Sequence, residues 1–345
     1  MDIISRVLNN EIVQIVLYVH LLFLSSSCSE TILNNEDFTN DLEVLSAYDS
    51  HLNPLSSYIV VFGDTQSYTN NTSNLVYFDK SVSWTRSQVD CGINIQAVLQ
   101  VGDVTENNAV SQWRAFHDII FYLEKDIPIY VTTGNHDYDW EGTKIKNRNS
   151  TRINEFARFE LSENNIISYY ESTRIDNYIA TINQENKIYL LSLEFGPREE
   201  VLEWASSFVQ QNKNCKFILM THEWLTRYGE RISTDSYAEL QLEGYSSYTT
   251  PEQVWRKLVK PNDNIICVLC GHNGFVAKLF SENDSGRSVP QILFNLQYQE
   301  NGGNGFIQLW EIPPQSDSVM IRVYDTINQE WYLPDSTAFS FKYKN

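Results

Sequence analysis

Positive charge is scarce in this 345-residue chain: 25 Lys and Arg stand against 44 Asp and Glu, a formal charge of −19. Duplex nucleic acid is held by clustered cations, so a duplex partner is excluded. Any phosphate handled here needs positive charge borrowed from metal ions. Cysteine is also sparse, with five in all. Cys267 and Cys270 form a C-x-x-C, but no second pair exists to complete a zinc site. Their run, Ile265–Cys270 (IICVLC), reads as a buried strand in which positions three apart face opposite ways, which makes them packed thiols. No apolar run reaches the ~20 residues of a transmembrane helix. Histidine is limited to six residues, so the place of each one is informative.

The apolar run that does exist, Ile12–Leu24, is broken only by Gln14 and His20 and follows Arg6. Its length fits a signal-peptide core of ~7–15 residues. Ser25, Ser26, Ser27 and Cys28 come next, an arrangement that resembles the lipobox of bacterial lipoproteins. The expected organisation is a signal peptide over 1–27, lipidation at Cys28, and a polar linker over 28–56. Residues 57–345 are expected to form one further domain. The protein is then exported to the bacterial cell envelope and meets the membrane through its lipid anchor only.

An apolar fraction of 42% and 13% aromatics supply ample core. From Tyr58 onward short apolar strands recur: Tyr58–Phe62, Ile95–Val101, Ile127–Thr132, Lys187–Leu193, Lys216–Met220 and Ile265–Cys270. Val110, Trp113, Phe116, Ile120 and Leu123 recur at helical spacing, as do Val201, Leu202, Ala205, Phe208 and Val209. Past Gly274 only strands follow: Phe275–Phe280, Ile292–Leu296, Gly305–Glu311 and Val319–Tyr324. The pattern predicts an α/β fold, a four-layer αββα sandwich of two mixed β-sheets flanked by helices.

The strand tips carry chemistry. In order they read Gly63-Asp64-Thr65-Gln66, Gly102-Asp103, Gly134-Asn135-His136-Asp137, Thr221-His222 and Gly271-His272, which uses three of the six histidines. Phosphoester hydrolysis at neutral pH needs a hydroxide, neutralised phosphoryl oxygens and a proton for the leaving alkoxide. Divalent cations held by oxygen and nitrogen ligands supply the first two. An imidazole beside a carboxylate supplies the third, and His136 with Asp137 are the candidates.

These residues carry a resemblance to the calcineurin-like metallophosphoesterases, nearest to a bacterial secreted branch whose first motif reads Asp-Thr-Gln. It extends from Tyr58 to near the C-terminus, including Leu193–Arg198 and the turn Gly302-Gly303-Asn304-Gly305. The resemblance implies that Asp103 bridges two ions, that Asp64 and Gln66 bind the first, and that Asn135, His222 and His272 bind the second. His136 would be the acid, with Asp137 behind it. The final motif departs from the family pattern, because Asn273-Gly274 follows His272 where a second histidine is usual. The first ion is thus expected to be weak and the second tight, with Mn, Mg, Zn or Fe as candidates. The expected activity is hydrolysis of a phosphate mono- or diester by metal-activated hydroxide, on a small molecule or a phosphorylated macromolecule. The alternative is a degenerate, weak or inactive surface lipoprotein that binds a phosphorylated or glycan ligand. Tyr228, Tyr237, Tyr245 and Tyr248 read as a solvated loop in preference to a stacking cap. Arg198 and Arg227 are candidate phosphate contacts, and the Gly302–Gly305 turn reads as a backbone requirement for positive φ.

Overall fold

The computed structural model describes residues 52–141, 144–233, 248–332 and 337–344. The signal-peptide segment, Cys28 with most of its linker, His51, Tyr237 and Tyr245 lie outside the described residues. In chain order the strands are β1 (Ser57–Phe62), β2 (Asn94–Gln100), β3 (Ile129–Val131), β4 (Trp140–Glu141), β5 (Lys144–Ile145), β6 (Ile166–Tyr169), β7 (Tyr178–Asn183) and β8 (Ile188–Ser192). They continue with β9 (Lys216–Met220), β10 (Ile265–Cys270), β11 (Phe275–Glu282), β12 (Ser288–Asn295), β13 (Phe306–Ile312), β14 (Ser318–Asp325), β15 (Glu330–Tyr332) and β16 (Phe339–Lys342).

Two mixed sheets result. The first runs β15-β14-β13-β1-β2-β3, with β16 also on β14, and the second runs β11-β12-β10-β9-β8-β7-β6. Within them β1, β2 and β3 are parallel, as are β8, β9, β10 and β12. Strands of this kind are hydrophobic on both faces because both faces are covered. In β9, Ile218 and Met220 join the core shared with β1, β2 and β13, while Phe217 and Leu219 join a second core. That second core is closed by the helix Glu199–Gln211, through Val201, Leu202, Ala205 and Val209. On the other side, Phe78 and Val82 of the helix Leu75–Asp90 pack against the first sheet. Trp113, Phe116 and Ile120 of the helix Val110–Ile120 do the same. The layers are those expected: helix, sheet, sheet, helix.

Some boundaries shift. The Val110–Leu123 periodicity divides into an α-helix to Ile120 and a 3₁₀ turn, Phe121–Leu123, and Val110 is partly exposed at the helix start. Cys267 belongs to the inner core and Cys270 to the outer one. Both are buried and outside any disulfide, as packed thiols should be. Residues 301–305 all have positive φ, and Gly305 donates to the Tyr68 hydroxyl, so the turn answers a backbone need. Among the described residues, no helix is long and apolar enough to cross a membrane.

Candidate metal centre

The C-terminal ends of the parallel strands meet at one end of the sandwich, where open α/β sheets gather their polar loops. Asp64 follows β1, Asp103 follows β2 and Asn135 follows β3, while His222 follows β9 and His272 follows β10. Single ligand-capable atoms of Asp103, His222 and His272 lie within 4.8 Å of one another. His222 Nε2 is 3.1 Å from Asp103 Oδ2, and His272 Nδ1 is 2.9 Å from Asn135 Oδ1 and 3.3 Å from His222 Nε2. Both sheets therefore contribute to one cluster.

Packing orients these side chains. His222 donates from Nδ1 to the Val101 carbonyl at 2.7 Å, which turns Nε2 into the cluster. His272 Nε2 lies 3.4 Å from Glu223 Oε1, so its Nδ1 faces the cluster. Such contacts on the ring nitrogen away from the cluster fix the tautomer and the orientation of the ring. Asp103 and His272 both adopt left-handed backbone, with φ of 50° and 68°. Non-glycine residues pay for that conformation, and surroundings that over-determine it are characteristic of functional sites. Gly134 allows the close approach: a Cβ there would lie 2.1 Å from Asp103 Oδ1.

Asp64 sits in a different setting. Its Oδ1 accepts from the His272 amide at 3.2 Å, and its Oδ2 accepts from Asn295 Nδ2 at 2.5 Å and Gln297 Nε2 at 3.2 Å. Asn295 ends β12 and Gln297 lies two residues beyond it, and the sequence reading passed over them although they too are polar residues at the tip of an apolar strand. Glu223, beside a histidine already chosen, was also missed. Gln66 Oε1 and Asn135 Nδ2 are buried without a hydrogen-bond partner. An orphaned amide oxygen beside two carboxylates and two imidazoles is the donor set a divalent cation requires.

Electrostatics follow from burial and crowding. Burial alone would lower His222, but the Asp103 and Asp64 carboxylates outweigh it and raise its pKa to about 10. Burial would raise Asp103, and the His222 and His136 imidazoles instead hold it well below the usual range. Burial pushes Asp64 well up, with the Asp103 charge adding to the shift. Burial and then the His222 charge lower His272 to about 3, and burial raises Glu223 to about 8. A concentration of shifted groups at strand tips marks the site independently of its motifs.

The expected His136–Asp137 pair needs correction. Asp137 accepts from the Val104, Thr105 and Gly134 amides and the Thr105 hydroxyl, so its carboxylate ties the loop after β2 to the loop after β3. Burial and the Asp103 charge raise it to about 7. His136 is oriented by other groups: Nδ1 lies 2.6 Å from the Glu106 carbonyl, and the ring stacks on Trp140 at 5.1 Å. Adjacent residues of a single 3₁₀ turn, Asn135–Asp137, point in different directions.

A cleft of about 350 Å³ opens over the cluster, lined by Gln66, Asp103, Asn135, His136, Arg227 and His272 among others. Arg227 stands at this cleft. Arg198 instead pairs with Glu194 and Glu171, at 2.8 and 2.9 Å. Asn273, beside the position of the absent histidine, donates to the Leu225 carbonyl at 2.8 Å.

Comparison with known proteins gives consistent findings. A family model described as calcineurin-like phosphoesterase matches residues 57–273. The chain is 25% identical over 297 residues to YvnB of Bacillus subtilis (strain 168), which is described as uncharacterized. That match covers 82% of this chain and 21% of YvnB, so the chain spans about a fifth of that relative's length. Among solved structures, the calcineurin-like phosphoesterase YfkN of Bacillus subtilis is 10% identical with a TM-score of 0.39, covering 84% of this chain and 91% of that one. The sulfate thiohydrolase SoxB of Thermus thermophilus, in complex with glycerol, is 11% identical with a TM-score of 0.41, covering 75% and 43%.

Proposed function

Because the chain belongs to the calcineurin-like phosphoesterase family, we propose that it hydrolyses phosphate esters with a divalent cation held by Asp103, Asn135, His222 and His272. The observation that carries this reading is the convergence of donor atoms from both sheets on one point, within 4.8 Å for Asp103, His222 and His272. When bound there, the cation supplies Lewis acidity, neutralising phosphoryl charge and making water acidic enough to attack at neutral pH. Gln66 and Asp64 are the remaining donors toward a second, weaker position. Asp64 Oδ2 already accepts from two amides and Gly274 brings no imidazole, which supports unequal occupancy.

The chain's own residues complete the reaction. His136 has Nδ1 committed to the Glu106 carbonyl, so Nε2 is the ring atom left for the cleft. Nε2 is placed to give a proton to the departing oxygen as the bond from phosphorus to that oxygen breaks and a new one to water's oxygen forms, with the water's own proton passing to solvent. Trp140 holds the ring in place, and the Asp103 Oδ1 contact to the His136 amide at 2.9 Å fixes the turn. The protein acts in the cell envelope, anchored through Cys28; loss of incorporated lipid label in Cys28→Ala tests that location.

The test is hydrolysis of p-nitrophenyl phosphate and bis(p-nitrophenyl) phosphate with Mn²⁺. Turnover of at least one is expected, falling by 100-fold or more in Asp103→Asn while the metal-free melting temperature shows that the variant folds. Mn²⁺ binding without turnover of either ester would replace this reading with the binding-module alternative.

A further inference from the structure

The place of the absent histidine is filled. A Cβ at Gly274 would lie 2.0 Å from Cδ2 and 2.3 Å from Cε2 of Tyr298. The tyrosine ring thus rests against the Gly274 backbone, in the volume that a side chain there would enter. Its remaining surface is open, since Tyr298 is 76% exposed. It stands three residues beyond β12, and Asn295 and Gln297 on either side of Leu296 are anchored to Asp64, so its backbone is pinned next to the metal centre.

Arg227 faces it across the same cleft. Gly274, Tyr298 and Arg227 line both the 350 Å³ cleft over Asp103 and an adjoining one of about 200 Å³ bounded by Phe275, Leu296 and Gln299. Together these are within the size range of small-ligand clefts. Single exposed apolar residues on a surface need no explanation. Here Tyr228 and Phe275, both substantially exposed, flank one guanidinium, which lies 5.6 Å from the Tyr228 ring and 5.2 Å from the Phe275 ring, and the exposed Tyr298 lines the same clefts. Among the described residues no carboxylate pairs with Arg227. Its segment is held by the Asn273 bond to the Leu225 carbonyl and by the Leu225–Arg231 bridge.

We propose that Tyr298, seated on Gly274, and Arg227 form a leaving-group subsite that takes a planar aromatic ring, so that the preferred esters carry a nucleobase or an aryl group. Resting on the phosphoesterase reading, this inference names the class of substrate. An aromatic face and a guanidinium plane both offer stacking surfaces to a flat ring, and each accepts it without demanding one hydrogen-bond pattern. The Arg227 charge also favours the anionic end of such an ester over neutral ligands.

The experiment compares esters that share a primary alkoxide leaving group and differ only in the ring. Adenosine 5′-monophosphate is set against ribose 5-phosphate, and 2-phenylethyl phosphate against 2-cyclohexylethyl phosphate, with the methyl diester of each run in parallel. The Mn²⁺-loaded full chain is expected to favour the aromatic member by roughly five- to a hundredfold in kcat/KM. Preference in both pairs means any flat ring is accepted, and preference in the first alone means a nucleobase. Tyr298→Ala should collapse the ratio and Tyr298→Phe should keep it. Gly274→Ala, which pushes the ring from its seat, should lower it. A wild-type ratio near one, or a ratio unchanged in Tyr298→Ala, overturns the inference. If no ester turns over, calorimetric binding of the same pairs to the Mn²⁺-loaded protein gives the ratio, so failure of catalysis and failure of the subsite are read separately.

Discussion

Asp64 and Asp103 are both buried carboxylates at strand tips, yet they are held by different chemistry. Asp103 faces two imidazoles and keeps Oδ2 for them, whereas Asp64 spends Oδ2 on the amides of Asn295 and Gln297. Hydrogen bonds to a charged group contribute ~1.5–3 kcal/mol each. Asn295→Leu should therefore destabilise the protein by about 2 kcal/mol in urea unfolding, with a smaller loss for Gln297→Met, whose bond is longer. An unchanged midpoint for Asn295→Leu would mean that Asp64 is held some other way. Asp64, Asp103, Asn135, His222 and His272 were legible because each is the first polar, ligand-capable residue after an apolar strand. Asn295 and Gln297 carried the same signal in Phe294-Asn295-Leu296-Gln297 but matched no motif. The partners of Asp137 were not legible, because adjacency to His136 in sequence does not say where its carboxylate points. What set its role was the turn at 102–105, and contacts between separate loops leave no periodic trace.

At the scale of elements, legibility followed the continuity of a strand's apolar run. β9 and β10 fall at the residues expected from their continuous apolar runs, while the edge strand β6, with mixed burial, went unread, as did β7, which is mostly buried but whose run is interrupted by Thr181 and Asn183. β10 also offers a test of the fold. Burial pushes the thiols of Cys267 and Cys270 up, and they point into separate cores, whereas Cys91 is exposed at the end of the helix Leu75–Asp90. Thiolate is the reactive form. Iodoacetamide should modify Cys91 in the native protein and reach Cys267 and Cys270 only in denaturant, read by mass spectrometry. Native labelling of either would contradict the strand and its two-faced packing.

For the whole molecule, a ligand that binds only the folded state raises stability by mass action, ~2.7 kcal/mol at a hundredfold excess over its Kd. Mn²⁺ should accordingly raise the melting temperature, and the size of that rise should depend on pH. His222 is protonated across the neutral range, and Nε2 must release its proton to accept a cation. Without metal, a raised pKa stabilises the fold fully below the unfolded value of ~6.5 and this contribution fades toward pH 10. Both effects have the same sign, so the Mn²⁺-induced increment should be larger at pH 8 than at pH 6. Equal increments at the two pH values would place the cation away from His222.

The two sheets supply separate halves of the proposed ligand set, Asp103 and Asn135 from one and His222 and His272 from the other. The proposed donors come together only once the sheets have docked. A refolding chain would then acquire its cation late, after collapse, and loading would report on assembly of the sandwich and not on formation of either layer.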